Sequence, residues 1–322
     1  MKNRMLLVEP IGFDQALLES FDLGVGIIGY EARAPYCPTK FSKRAKRNIA
    51  LRYMSNSVRS YGRNDLELKD LGFLASNLRP DSEALDAEEV IQTEIARIAD
   101  NSPRLVVDIS SMSRKTMAGI FAAIMGSRKR RVEVVFTYAV AAFEPPPREY
   151  PPLIEFGAVS NVFGGAPRGA NKPTALILGL GYEAGRAISA YSQMEADEAW
   201  MLMPVNRDPR YNDAVKASNR ELLTLSEKIN CLNYDIYNPV FLYEKIRTLA
   251  LGLRTMHRLV FIPSGPKLCA LMTFLVALDL YPDVSVWRMS SGPLEPLFHR
   301  VASGETLAVK VIFEREAELR VG

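Results

Sequence analysis

The run Gly26-Ile27-Ile28-Gly29-Tyr30-Glu31-Ala32-Arg33 returns as Leu178-Gly179-Leu180-Gly181-Tyr182-Glu183-Ala184-Gly185-Arg186, each time at the end of an apolar stretch. Aligning Tyr30 with Tyr182 sets an offset of 152. The same offset, to within two residues, carries RLVVDISSMSRK (104–115) onto RLVFIPSGPK (258–267) and VEVVFTY (132–138) onto VSVWRM (284–289). Ser111 then falls on Ser264 and Arg114 on Lys267, and an apolar helical stretch follows both. Landmarks held in register over so long a span point to a repeat, and a repeat dictates the fold more strongly than any local propensity.

The elements between the landmarks are clearest in the second half. Strands are expected at 175–181, 198–205, 230–238, 258–264 and 284–289, and helices at 183–194, 208–228, 239–253 and after Lys267. Proline opens two of these helices, at Asp208-Pro209 and Asn238-Pro239, as suits a first helical turn. The first half is less regular: strands at 24–29, 104–109 and 132–138, helices at about 84–100 and 113–127. Alternating strands and helices predict a mainly parallel sheet covered on both faces. The expected fold class is therefore α/β: two tandem Rossmann-like domains related by internal duplication, at 1–160 and 161–322. The proline-rich 143–157 and glycine-rich 163–173 read as a linker with an extended segment. The C-terminal LFHRVASGETLAVKVIFERE reads as a β-hairpin around Ser-Gly-Glu.

In such sheets ligands sit beyond the carboxyl ends of the strands, where helix N-termini favour anions. Both repeated motifs fall there. Ser264, Gly265 and Lys267, like Ser111, Ser113 and Arg114, combine hydroxyls with a cation, as a phosphate or carboxylate requires. Gly29, Tyr30 and Glu31, and Gly181, Tyr182 and Glu183, occupy the turn after the first strand. Asn206 ends the second strand of the second half, a usual place for a ribose. For each residue a plainer role stays open: Ser111 and Ser264 as helix caps, Tyr30 and Tyr182 as packed rings, Glu31 in an ion pair with Arg33. Asp108 ends a strand where the other half has Phe261, and could serve as general base, ribose acceptor or cap; Glu31 is the other candidate base. The glycines of GLGYEAG are spaced too widely for a dinucleotide fingerprint and no phosphate-loop motif is present, so no cofactor is expected.

Charge is uneven although the net is only +3. From Ala32 to Asn64 there is no acidic residue, while Lys40, Lys43, Arg44, Lys46 and Arg47 cluster there. That segment could meet nucleic acid, or could be a solvated helix face. Three cysteines without a C-x-x-C argue against a disulfide framework or a zinc site, and no run of 18 apolar residues suggests a membrane span; a cytoplasmic protein is expected. His257 and His299 stand outside the repeats, and no metal site is expected.

On the duplicated Gly-Tyr-Glu turn and the Ser-Gly-x-Lys-like turn, the sequence resembles the CRISPR-associated Rossmann fold (CARF) class of prokaryotic defence sensors. The resemblance implies a nucleotide messenger as ligand, held in a pseudo-dimer by Gly29, Tyr30, Glu31, Ser111 and Arg114 with Gly181, Tyr182, Glu183, Ser264, Gly265 and Lys267. It also implies protein partners from the same operon. A separate effector domain, usual in that class, has no place in this chain. The alternatives are an enzyme acting on such a ligand, and a nucleic-acid-binding subunit using the basic segment.

Overall fold

A computed structural model describes residues 4–54, 58–147, 150–165, 171–225 and 229–315. The chain forms two compact units, Met1–Ala142 with His299–Gly322, and Phe143–Phe298. Among the described residues the first unit contains β1 (Arg4–Ile11), α1 (Phe13–Ala16), β2 (Phe21–Ile28), α2 (Tyr36–Phe41), β3 (Ala45–Tyr53), α3 (Tyr61–Asp70), β4 (Phe73–Leu78), α4 (Glu83–Arg97), β5 (Arg104–Asp108), α5 (Arg114–Gly126), β6 (Arg131–Ala141) and β13 (Ala302–Arg315). The second contains β7 (Glu155–Ala158), β8 (Thr174–Gly179), α6 (Arg186–Met194), β9 (Glu198–Val205), α7 (Pro209–Ser218), α8 (Arg220–Thr224), β10 (Ile229–Asp235), α9 (Pro239–Leu253), β11 (Arg258–Ile262), α10 (Lys267–Asp279) and β12 (Val284–Ser290).

The first unit's sheet runs β1-β13-β6-β5-β2-β3-β4 and the second's runs β10-β9-β8-β11-β12-β7. Within each, five successive parallel strands take the spatial order third, second, first, fourth, fifth, with an antiparallel strand beside the fifth. That order is Rossmann-like, and it reverses direction between the first and fourth strands. The expected α/β class with two mainly parallel sheets is observed, and the aligned landmarks fall on corresponding elements: β2 with β8, β5 with β11, α5 with α10, β6 with β12.

Burial explains the pattern. Every residue of β8 is buried, as a parallel strand covered on both faces demands. In α10 everything from Leu268 to Leu278 is buried, which accounts for its lack of a polar face. Asp208 and Asn238 cap α7 and α9 by accepting from Arg210 N and Phe241 N, with proline following each.

Several expectations differ from the structure. The C-terminal hairpin is instead one long strand, β13, paired antiparallel to both β6 and β1; Ser303-Gly304-Glu305 makes a register shift between Ala302 and Thr306 rather than a reversal. Two free strand edges, on β6 and β1, can both be satisfied only if the segment runs straight between them. For the same reason the units divide at 142/143 and 298/299 rather than near 160, since β13 belongs to the first sheet. The proline-rich segment also contributes β7, which pairs with β12. The helix expected over 208–228 breaks at Asn219 into α7 and α8, and its last residues lie outside the described ones. α6 starts three residues late because Gly185 precedes it at φ +77°. β1, β3 and β4 carry no clear signal in the sequence. In β3, charged Lys46 and Arg47 disguise a buried Asn48–Leu51 core.

Candidate ligand-binding turns at the strand ends

The two repeated motifs are the loops on either side of the point where the strand order reverses, β2 and β5 in one unit, β8 and β11 in the other. In the second unit these loops meet backbone to backbone. A Cβ on Gly179 would stand 2.7 Å from the Ser264 carbonyl oxygen, and one on Gly265 would stand 2.2 Å from the Leu180 carbonyl oxygen. Gly265 also has φ +74°, a region that side chains disfavour. Ser264 and Gly265 are half-buried beside α10, whose N-cap is Pro266 and whose first residue is Lys267. The Glu183 carboxylate folds back against Gly181.

Two further side chains hold the turn after the first strand. Asn219 Nδ2 donates to the Gly181 carbonyl at 2.7 Å, and Ser218 Oγ donates to that of Tyr182 at 2.7 Å. In the first unit Asn64 Nδ2 donates to both the Gly29 and Glu31 carbonyls at 2.8 Å. Asn64 and Asn219 are buried, and each follows the second strand of its sheet. Neither was expected from the sequence; the only available signal was that both lie about one offset apart (155) in segments of low similarity.

The repeated arginines also have matching roles. Arg33 is fully buried, pairs with Glu31 at 2.7 Å, donates to the Ala139 carbonyl at 2.8 Å and lies 5.4 Å from the Tyr138 ring centre. Arg186 is buried, donates to Ser291 Oγ at 3.1 Å, pairs with Glu295 at 2.9 Å and lies 5.5 Å from the Tyr150 ring centre. Each ties the loop after the first strand to the end of the fifth. Burial alone would depress the Arg33 guanidinium, but the Glu31 carboxylate holds it charged well above its usual range. The plainer reading of Glu31, a local ion pair, is what the first unit contains.

Asp108 does not cap α5. It is fully buried, and its Oδ1 accepts from Ser110 Oγ at 2.6 Å and from Thr137 Oγ1 at 3.3 Å. The Ala139 N–H donates to the same Ser110 Oγ at 2.8 Å, so the two backbone groups of Ala139 link the Arg33 and Asp108 networks. Burial pushes the Asp108 carboxyl up to about 7, against the opposing effects of Ser110, Cys37 and Arg33. Burial and the neighbouring Asp108 likewise push the Cys37 thiol well up. Asp108 Oδ2, Arg33 Nη2 and Ser111 Oγ are buried with no hydrogen-bond partner among the described residues.

The cap of α5 is Ser113, which accepts from Thr116 N at 3.0 Å and donates to the Glu83 carboxylate. Thr116 Oγ1 donates to that carboxylate at 2.6 Å. Ser113 therefore caps α5, whereas Ser111 and Ser264 are not caps. Arg114 is half-buried at the first position of α5. Tyr182 packs in the core, its ring 5.7 Å from that of Tyr211; Tyr30 is half-buried. Asn206 Oδ1 accepts from Asp208 N at 2.9 Å and makes a turn.

The basic segment is not one helix face. It is α2, a short turn and β3. Lys40 lies 4.7 Å from the Tyr36 ring centre, Lys46 pairs with Asp22 at 2.8 Å and Arg47 with Glu94 at 2.5 Å, while Lys43 and Arg44 are exposed in the turn. Among the described residues no helix is long and apolar enough to cross a membrane, and no cluster of His, Cys, Asp or Glu is arranged to hold a metal ion.

No protein-family model matches the chain, and no curated protein matches it. Among solved structures it is similar to the cytoplasmic domain of a prokaryotic cation chloride cotransporter, at 10% identity and TM-score 0.24, over 85% of this chain and 97% of that one. It is also similar to leucoanthocyanidin reductase with NADPH from Vitis vinifera, at 9% identity and TM-score 0.26, over 82% and 92%. Neither likeness carries an argument at these scores. The Rossmann-like class rests on the strand order itself.

Proposed function

We propose that the protein binds a phosphate-bearing, nucleotide-type ligand at the strand ends on either side of the order reversal, with the second unit as the better-formed site. One observation carries this reading: the paired serines Ser111 and Ser264 are not used as helix caps, yet each stands next to a helix whose first residue is a cation, Arg114 or Lys267. A hydroxyl, the helix dipole and a cation together suit an anion. In the first unit the Glu83 carboxylate already occupies the α5 terminus, which favours the second unit for an incoming negative charge. On the resemblance to CRISPR-associated Rossmann-fold domains, the ligand would be a nucleotide messenger and the protein a sensor working with partners in prokaryotic defence.

Calorimetric titration with a panel of mono-, di- and cyclic nucleotides tests the reading. Binding should weaken about tenfold or more in Lys267→Ala and Ser264→Ala, as loss of charge-assisted bonds implies. Undiminished binding in both variants would remove the site from this position.

A second reading, an enzyme acting on the same ligand class, is favoured by the unpartnered Oδ2 of Asp108 and its carboxyl near neutrality. Turnover abolished in Asp108→Asn with binding retained would establish it.

A further inference from the structure

The loops that enter β3 and β6 lie at the edge of the first sheet opposite the repeated motifs, since both strands run parallel to β2 and β5. The registers pairing Phe21 with Ala45, Leu23 with Leu105 and Arg104 with Glu133 start the two strands within one residue of the same level. Between them stand β5 and β2, so the loops are about 14 Å apart at the usual strand spacing. Both loops are basic: Lys43-Arg44 precedes Ala45, and Arg128-Lys129-Arg130 precedes Arg131.

The carboxylates of this edge are already matched. Asp22 pairs with Lys46 at 2.8 Å, and Asp100 acts on the same lysine from further away. Glu94 holds both Arg47 and Arg97, while Glu19 and Glu133 hold Arg104, Arg131 and Lys310. Lys43, Arg44, Arg128 and Arg130 are exposed and have no ion-pair partner among the described residues. Neither loop exposes a large apolar side chain, as insertion into a lipid surface would require.

The fold does not demand these cations. At the offset of 152, Lys43-Arg44-Ala45-Lys46 stands where the second copy has Glu195-Ala196-Asp197-Glu198, and Arg128-Lys129-Arg130-Arg131 where it has Leu280-Tyr281-Pro282-Asp283. Those segments enter the corresponding strands, β9 and β12. One copy is basic at an edge that its twin leaves acidic, so the charge belongs to the surface and not to the scaffold.

We infer that this edge of the first unit binds the phosphate backbone of a nucleic acid, with Lys43 and Arg44 on one stretch of phosphates and Arg128 and Arg130 on another. The sheet holds the two pairs about 14 Å apart, the span of about four stacked nucleotides of one strand. Arginine forks suit phosphate oxygens. The surface is independent of the anion site proposed above, and either can fail without the other.

Fluorescence anisotropy of short labelled DNA and RNA, single-stranded and duplex, tests this on the whole chain across a salt series. At least one probe should bind, its affinity falling with the logarithm of salt at a slope of about −3 to −4, as four phosphate contacts imply. Lys43→Gln with Arg44→Gln, and Arg128→Gln with Arg130→Gln, should each make that slope shallower by about two and weaken binding about tenfold at low salt. Circular dichroism checks that the variants are folded. Lys216→Gln with Arg220→Gln, an equal loss of charge from exposed positions in the second unit, should change nothing. Absence of binding, binding that both edge variants retain, or equal weakening by the second-unit variant would overturn the inference. So would binding to phosphatidylserine-containing vesicles that the edge variants lose while no nucleic acid binds, which would assign the edge to lipid.

Discussion

Gly265 lies so close to Leu180 that a single added carbon would stand 2.2 Å from the Leu180 carbonyl oxygen. That contact closes the two loops of the second unit on each other. Because the opposing atom is backbone, it cannot swing aside as a side-chain end would.

Gly265→Ala therefore combines a clash with an unfavourable positive φ. The expected loss is at least about 2 kcal/mol. Urea unfolding curves of the two proteins measure it, and coincident midpoints would show that the loops are looser than this geometry requires.

Asp108 predicts a pH dependence with a definite sign. Its carboxyl is raised to about 7 in the fold, so between about pH 4 and 7 the folded chain keeps a proton that the unfolded chain has lost. Stability from this group is highest below pH 4 and falls as pH rises to 7, by on the order of a few kcal/mol. Asp108→Asn should remove that decline. Thermal midpoints of variant and wild type across pH 4–8 should diverge steadily; parallel curves would argue against a buried, proton-bearing Asp108.

Breaking the Glu31–Arg33 pair strands a buried charge. Arg33→Met should cost about 3–5 kcal/mol, and Glu31→Gln combined with Arg33→Met should cost clearly less than Arg33→Met alone. A double-mutant cycle in urea reads the difference.

Asn64→Asp is a sharper probe than Asn64→Ala. The aspartate matches the shape but cannot donate from an ionised carboxylate, so the Gly29 and Glu31 carbonyls lose their partner in both variants. Each should lose about 2 kcal/mol or more, with Asp the worse because two carbonyl oxygens then face a carboxylate. Equal stability of Asn64→Asp and wild type would show that this donation contributes nothing.

Much of the architecture could be read from local pattern. Apolar strands at 198–205 and 258–262 and the helix at 239–253 announce themselves through hydrophobic runs, proline starts and spacing, and the offset of 152 exposes the second copy. β3 escaped because its polar ends, Lys46 and Arg47, bind Asp22 and Glu94 from elsewhere in the chain. The β13 segment reads as a hairpin because Ser-Gly-Glu is a good turn sequence, and only the presence of two waiting strands straightens it.

The candidate site divides in the same way. The sequence alone determined that the Gly-Tyr-Glu and serine–cation segments recur together at strand ends, since short-range pattern and duplication are properties of the chain itself. Tertiary structure decided what each residue does: Ser113 caps while Ser111 does not, Tyr182 packs, and Arg33 and Arg186 reach the fifth strand. Those roles depend on partners such as Ala139 for Arg33 and Ser291 for Arg186, about 105 residues away along the chain. Hydrogen bonds and burial are settled by which groups folding brings within about 3 Å, and distance along the sequence carries no record of that.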